Sequence, residues 1–88
     1  MIRQEILFTR PEGLQARAAS TLAQCANRYT SRITFTLGQK TVNAKSLMGV
    51  LSLGVSAGET ITLYAAGEDE QAACDALNEQ IRSICAGS

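Results

Sequence analysis

The chain has 88 residues, 45% of them hydrophobic and 18% charged, with eight basic and eight acidic side chains and no histidine. That length and composition specify one small globular domain, residues 1–88, and exclude a disordered chain. Zero net charge gives no field to draw the chain to nucleic acid or an anionic membrane, and the missing histidine removes Ser-His-Asp and Cys-His catalysis, imidazole acid–base chemistry, His-ligated metals and phosphohistidine.

Taken in chain order, Ile2, Ile6 and Phe8 alternate with Arg3, Glu5 and Thr9 and predict a strand, in which Leu7 is out of phase. Arg10-Pro11-Glu12-Gly13 punctuates as a loop. Ala16 to Tyr29 reads as a helix with Ala19, Leu22, Ala23, Ala26 and Tyr29 on its apolar face. Ser31 to Leu37 is a strand with Ile33, Phe35 and Leu37 on one side and Thr34 and Thr36 on the other. Gly38-Gln39 suits a two-residue hairpin turn, and Lys40 to Ala44 returns with Val42 and Ala44 inward. Ser46 is a good N-cap for a short helix that runs through Leu53 and ends at Gly54. Glu59 to Ala66 is a strand with Ile61, Leu63 and Ala65 inward. The Gly67-Glu68-Asp69-Glu70 segment opens a last helix, carboxylates gathered in its first turn, with Ala73, Leu77, Ile81 and Ile84 inward. The order βαββαβα, with one apolar and one Thr-rich face per strand, specifies an α+β sheet covered by helices on one side. Period alone does not choose its strand order.

Charges at Arg3 and Glu5 stand where a secretory leader needs an apolar stretch, and the apolar run Leu47 to Val55 is broken by Gly49, Ser52 and Gly54. A cytoplasmic protein without a membrane span is expected. Cys25, Cys74 and Cys85 form no CxxC motif, and their odd number cannot pair fully. On one helix, Cys74 and Cys85 would lie about 16 Å apart, against the roughly 7 Å limit between Cα atoms that a disulfide requires. Reduced thiols serving as core filler are expected, with no metal site and no cofactor.

Two segments carry candidate chemistry. The first is Gly13-Leu14-Gln15-Ala16-Arg17-Ala18-Ala19, which enters the first helix without a capping side chain; its free N–H groups beside Arg17 form either an anion site or a merely hydrated helix end. The second is Asn43-Ala44-Lys45-Ser46-Leu47-Met48-Gly49-Val50-Leu51. A helix this short cannot bury all its apolar residues, so Met48 and part of Leu47 or Leu51 are left near solvent, as a docking patch or as ordinary packing. Ser46 has no adjacent general base and is no nucleophile of its own, but it is a plausible acceptor for a kinase, with phosphate at the positive end of its helix.

These two segments, with Gly67-Glu68-Asp69-Glu70-Gln71-Ala72 before the last helix, resemble in order and spacing the HPr family, the histidine-containing phosphocarriers of the bacterial sugar phosphotransferase system. The resemblance spans nearly the whole chain. It implies an HPr-like open-faced sandwich, a four-stranded antiparallel sheet in order 1-4-2-3 with three helices on one face. It also implies a departure. The family's phosphate-accepting histidine falls at Gln15, and the proline that usually follows the motif's arginine is Ala18. An amide lacks the lone pair that makes imidazole an acceptor. Arg17 and Ser46, the family's regulatory phosphorylation site, are retained, which is the pattern of the family's catabolite-repression branch.

What that branch implies is a non-catalytic regulatory protein. An HPr kinase/phosphorylase phosphorylates it on Ser46, and it then acts as corepressor of a CcpA-like LacI-family repressor, with no direct nucleic-acid contact. Gln15, Arg17, Leu47, Met48 and Leu51 would form the partner surface, and Leu7, on a strand expected at the sheet's edge, leaves room for a homodimer. The alternatives are a phosphocarrier with an unusual acceptor, for which Ser20, Thr21 and Cys25 are the nearest groups, and a paralogue that binds another metabolic enzyme.

Overall fold

A computed structural model describes residues 1–86. Its elements are β1 (Ile2–Leu7), α1 (Ala16–Ala26), β2 (Arg32–Leu37), β3 (Lys40–Asn43), α2 (Leu47–Ser52), β4 (Thr60–Ala66) and α3 (Glu70–Cys85). The strands form one antiparallel sheet in order β1-β4-β2-β3, the order that the resemblance implied. β4 lies between β1 and β2, with Ile2 opposite Ala65, Ile6 opposite Ile61 and Phe35 opposite Leu63. That register puts Ile33, Phe35, Ile61, Leu63 and Ala65 on the face that the three helices cover, and all five are buried. They meet Ala19, Leu22 and Ala26 of α1, Val50 of α2 and Ala73, Leu77 and Ile81 of α3 in one continuous core.

The other face is open. On it the Arg3 Nε donates to the Tyr64 hydroxyl at 3.2 Å, with the guanidinium 6.0 Å from the ring centroid, and the Thr36 and Thr41 hydroxyls meet at 2.8 Å. β1 and β3 are the edges, and Leu7, 56% exposed, stands at the end of β1.

Expectations for β1 and α1 shift in detail. β1 ends at Leu7, although Phe8 continues its inward face and is fully buried. α1 stops at Ala26, because the chain turns at Asn27 and Arg28; Tyr29 still packs against the core, but from the loop. Gln4, a polar residue on the inward face, is accommodated because its Oε1 accepts from the Cys74 thiol at 3.2 Å.

The carboxylates before α3 are a correction. Only Glu70 lies in the first turn of α3, and its Oε1 accepts from the Gly67 N–H at 3.1 Å. Asp69 turns away from its own helix. Its two oxygens accept from the N–H groups of Thr30 and Ser31, each at 2.9 Å, and also from the Ser31 hydroxyl. The Ser31 and Thr30 donors together hold the Asp69 carboxyl down to about 2, because they bond its charged form. Ser31 is itself buried, and an ideal Cβ on Gly67 would lie 2.7 Å from the Ser31 Cα, so only glycine lets these two loops close on each other.

Candidate functional site

The loop that leads into α1 is pinned before the helix begins. Gly13 takes φ +75°, and an ideal Cβ there would lie 2.9 Å from the Val55 carbonyl oxygen, to which Leu14 N–H donates at 3.0 Å. Gln15 is therefore held as N-cap of α1 in extended backbone, yet its side chain makes no capping bond; its Nε2 leans back toward the Glu12 carbonyl at 3.5 Å. Arg17, in the first turn of α1, is exposed.

Between the start of α1 and the end of α3 lies an open depression of about 430 Å³, lined by Arg10, Gln15, Arg17, Thr21, Gln80 and Ser83 among others. Arg10, which sequence reasoning placed only in a loop, binds across it. Its Nη1 donates to the Ile84 carbonyl at 2.9 Å, and its Nε lies 3.6 Å from a Glu12 carboxylate oxygen.

Of the substitute acceptors Ser20, Thr21 and Cys25, none is an activated nucleophile. The Thr21 hydroxyl donates to the Arg17 carbonyl at 3.1 Å, and the Ser20 hydroxyl accepts from Gln24 at 3.2 Å. Cys25 is buried, and burial pushes its thiol up, away from the reactive thiolate. The three substitute acceptors are thus committed to helix bonds or buried in the core.

The second segment is a tightly bonded turn. Asn43 Oδ1 accepts from Lys45 N–H at 2.9 Å, and the Asn43 carbonyl accepts from Ser46 N–H at 3.1 Å. Ser46 then caps α2 as expected, its Oγ accepting from Gly49 N–H at 3.1 Å while its carbonyl accepts from Val50 N–H at 3.0 Å. Gly49 leaves room for this: an ideal Cβ there would stand 3.3 Å from Ser46 Oγ. At the other end, Gly54 takes φ +64°, and Lys40 Nζ donates to the Ser52 carbonyl at 2.6 Å, which ties α2 to the β2–β3 hairpin.

Of the apolar residues on α2, Val50 takes the core position and is fully buried, while Leu51 packs half-buried against the core. Met48 is left 74% exposed and Leu47 40% exposed. Ser46, Leu47, Met48 and Leu51 therefore share one short element. Gln15 and Arg17 share another place, the depression beside α1, which no α2 residue lines. Among the described residues, no group of three acidic or cysteine side chains could hold a metal ion, and no helix is long and apolar enough to cross a membrane.

Comparison with known proteins matches this arrangement. The family model described as the PTS HPr component phosphorylation site covers residues 2–83. The HPr-like protein Crh of Bacillus subtilis is 48% identical over 77 residues, which are 88% of this chain and 91% of that protein. Among solved structures, HPr of Thermoanaerobacter tengcongensis superposes with a TM-score of 0.90 at 41% identity, over 98% of this chain and 97% of that one. A crystal structure of Bacillus subtilis Crh, described as a swapped, intertwined dimer, superposes with a TM-score of 0.76 at 44% identity, over 94% of this chain and 95% of that one. A match over this length, with the strand order and the two loops that begin α1 and α2 in their expected places, shows that the chain belongs to the HPr family.

Proposed function

We propose that this chain is a non-catalytic, Crh-type regulatory protein of the cytoplasm whose signal is a phosphate on Ser46. The observation that carries this reading is the contrast between its two loops. Where a phosphocarrier would take phosphate from another protein, the helix start presents the amide of Gln15 and no base. Where a kinase would add it, Ser46 holds a hydroxyl at the start of α2, beside the exposed Met48.

In the proposed reaction, Ser46 Oγ attacks the γ-phosphorus of ATP bound to an HPr kinase/phosphorylase. The bond to the β,γ-bridging oxygen breaks, ADP leaves, and the hydroxyl proton passes to a base of the kinase. The product carries about −1.5 to −2 charges beside an apolar patch. A CcpA-like LacI-family repressor would read both together: basic groups on the phosphate, an apolar pocket on Leu47, Met48 and Leu51, and an acidic group on Arg17.

The test is incubation with an HPr kinase/phosphorylase and labelled ATP, followed by titration of the repressor. Label on Ser46 that is lost in Ser46→Ala, with tighter binding of the phosphorylated form, is expected. Equal affinity of the two forms overturns the switch. Incubation with a phosphoenolpyruvate-charged enzyme I should leave no acid-labile phosphate on the chain, and Gln15→His should gain some.

A homodimer is the second association that we propose. β1 is an edge strand with a largely exposed Leu7 at its end, which is where an unpaired strand edge can meet a second copy.

A further inference from the structure

Asn27 stands just past α1, eighteen residues before Lys45, and nothing in the sequence motifs singles it out. Its side-chain amide donates twice through Nδ2: to the Ala23 carbonyl at 2.8 Å, on its own helix, and to the Lys45 carbonyl at 2.9 Å, on the loop before α2. Its backbone N–H also donates to Ala23, at 3.0 Å, so the residue is fixed to α1 at two points. The residues around Lys45 are held from other directions. Ala44 is fully buried and its N–H donates to the Ile33 carbonyl of β2, while Ser46 is committed to α2. Between these anchors lies the Lys45–Ser46 peptide. Lys45 donates its N–H to Asn43 Oδ1, within the same turn, and its C=O, which belongs to that peptide, accepts from Asn27, just past α1.

We infer that Asn27 is a positioning residue for phosphorylation at Ser46, acting through the Lys45 carbonyl to hold the acceptor's peptide against α1. This rests on the reading that Ser46 is the phosphorylated residue. Asn27 is exposed, so water replaces it at the Lys45 carbonyl when it is removed, and no buried group is left unsatisfied. The fold therefore loses little. What is lost is the prior ordering of residues 45 and 46, which the kinase must then impose when it binds. Such a loss raises KM for the protein substrate and leaves kcat alone, because the bond is the same in the bound and reacting states.

The test uses the full chain, purified HPr kinase/phosphorylase and saturating ATP, with kcat and KM measured for Asn27→Ala, Asn27→Asp and Asn27→Gln. Ala removes the donor, Asp keeps the shape without an N–H, and Gln restores an amide. KM is expected to rise about three- to tenfold in Ala and Asp, the range of one modest hydrogen bond, with kcat within about twofold and partial recovery in Gln. Melting temperatures should stay within about 2 °C of the parent, as for a surface substitution. Exchange of the Ser46 amide hydrogen in the free protein should quicken in Ala and Asp, a readout that a direct contact with the kinase would not move. Labelled parent with unchanged KM, or unchanged amide exchange, in Ala and Asp overturns the role of Asn27 and leaves the phosphorylation reading standing. A parent that takes no label on Ser46 overturns that reading, and this inference with it.

Discussion

Ser46 has two duties in this fold, and two substitutions separate them. As N-cap it satisfies the Gly49 N–H of a helix only six residues long, in which Val50 is the one fully buried side chain. A helix of that length has no stability of its own and depends on its cap and its packing. Ser46→Ala leaves the Gly49 N–H to water, since the site is half-exposed, so the loss falls near the middle of the usual range for a cap, about 1 kcal/mol. For a domain of this size that is a fall of roughly 4–8 °C in melting temperature. Ser46→Asn should behave differently. Asparagine caps as well as serine does, the backbone at this position is extended (φ −100°, ψ 117°), and Gly49 leaves the space above it open. Its melting temperature should stay within about 2 °C of the parent. Neither variant has a hydroxyl to phosphorylate.

The assay is thermal melting followed by far-ultraviolet circular dichroism, with kinase labelling of the same samples. If Ser46→Ala melts within a degree of the parent, or Ser46→Asn melts as low as Ser46→Ala, the capping argument is wrong. Loss of signalling in the alanine variant would then have to be explained without any change in the folded state.

The remaining predictions concern the latch between α3 and the loop before β2, and the exposed patch on α2. Asp69 has its carboxyl pulled down to about 2 by the Ser31 and Thr30 bonds, which favour its charged form. The stability it contributes is therefore fully present above its unfolded value near 4 and is lost as pH falls toward about 2. Acid titration of the melting temperature should show this slope, and Asp69→Asn should flatten it. Gly67→Ala places a methyl 2.7 Å from the Ser31 Cα at φ +152°, so both strain and overlap oppose it. A destabilisation of roughly 2–4 kcal/mol is expected in denaturant titration, and a value under about 1 kcal/mol would mean that the two loops can part cheaply. Met48→Asp should leave the melting temperature nearly unchanged, since the side chain is 74% exposed, while weakening repressor binding by the phosphorylated form at least tenfold in a titration.

The features legible from sequence are those whose physical cause is local. Alternation at Ile33/Phe35 and Ile61/Leu63/Ala65 puts the right face inward because a strand's period is two. The Ser46 cap and the turns at Gly38 and Gly54 are legible because donor and acceptor, or φ and residue type, lie within a few positions of one another. Met48 is legible by elimination, since Leu47, Met48, Val50 and Leu51 cannot all face one core across six residues. Strand order is different: the sequence period allows several orders, and only the resemblance singled out 1-4-2-3.

The bonds that join distant segments carry no local signature. Asp69 has the look of a residue serving its own helix, and only the closed loops show it bonded to Thr30 and Ser31, more than thirty positions earlier. Arg10 reads as a loop charge until Ile84 is brought beneath it, and Asn27 reads as one more position of the first helix until Lys45 arrives. Each of these side chains bonds a loop to an element distant in sequence. The two candidate loops have such ties close by: Arg10 crosses the depression beside Gln15, and Asn27 holds the residue before Ser46. Apolar burial decides which elements meet, whereas these polar ties decide how the loops between them are presented to a partner.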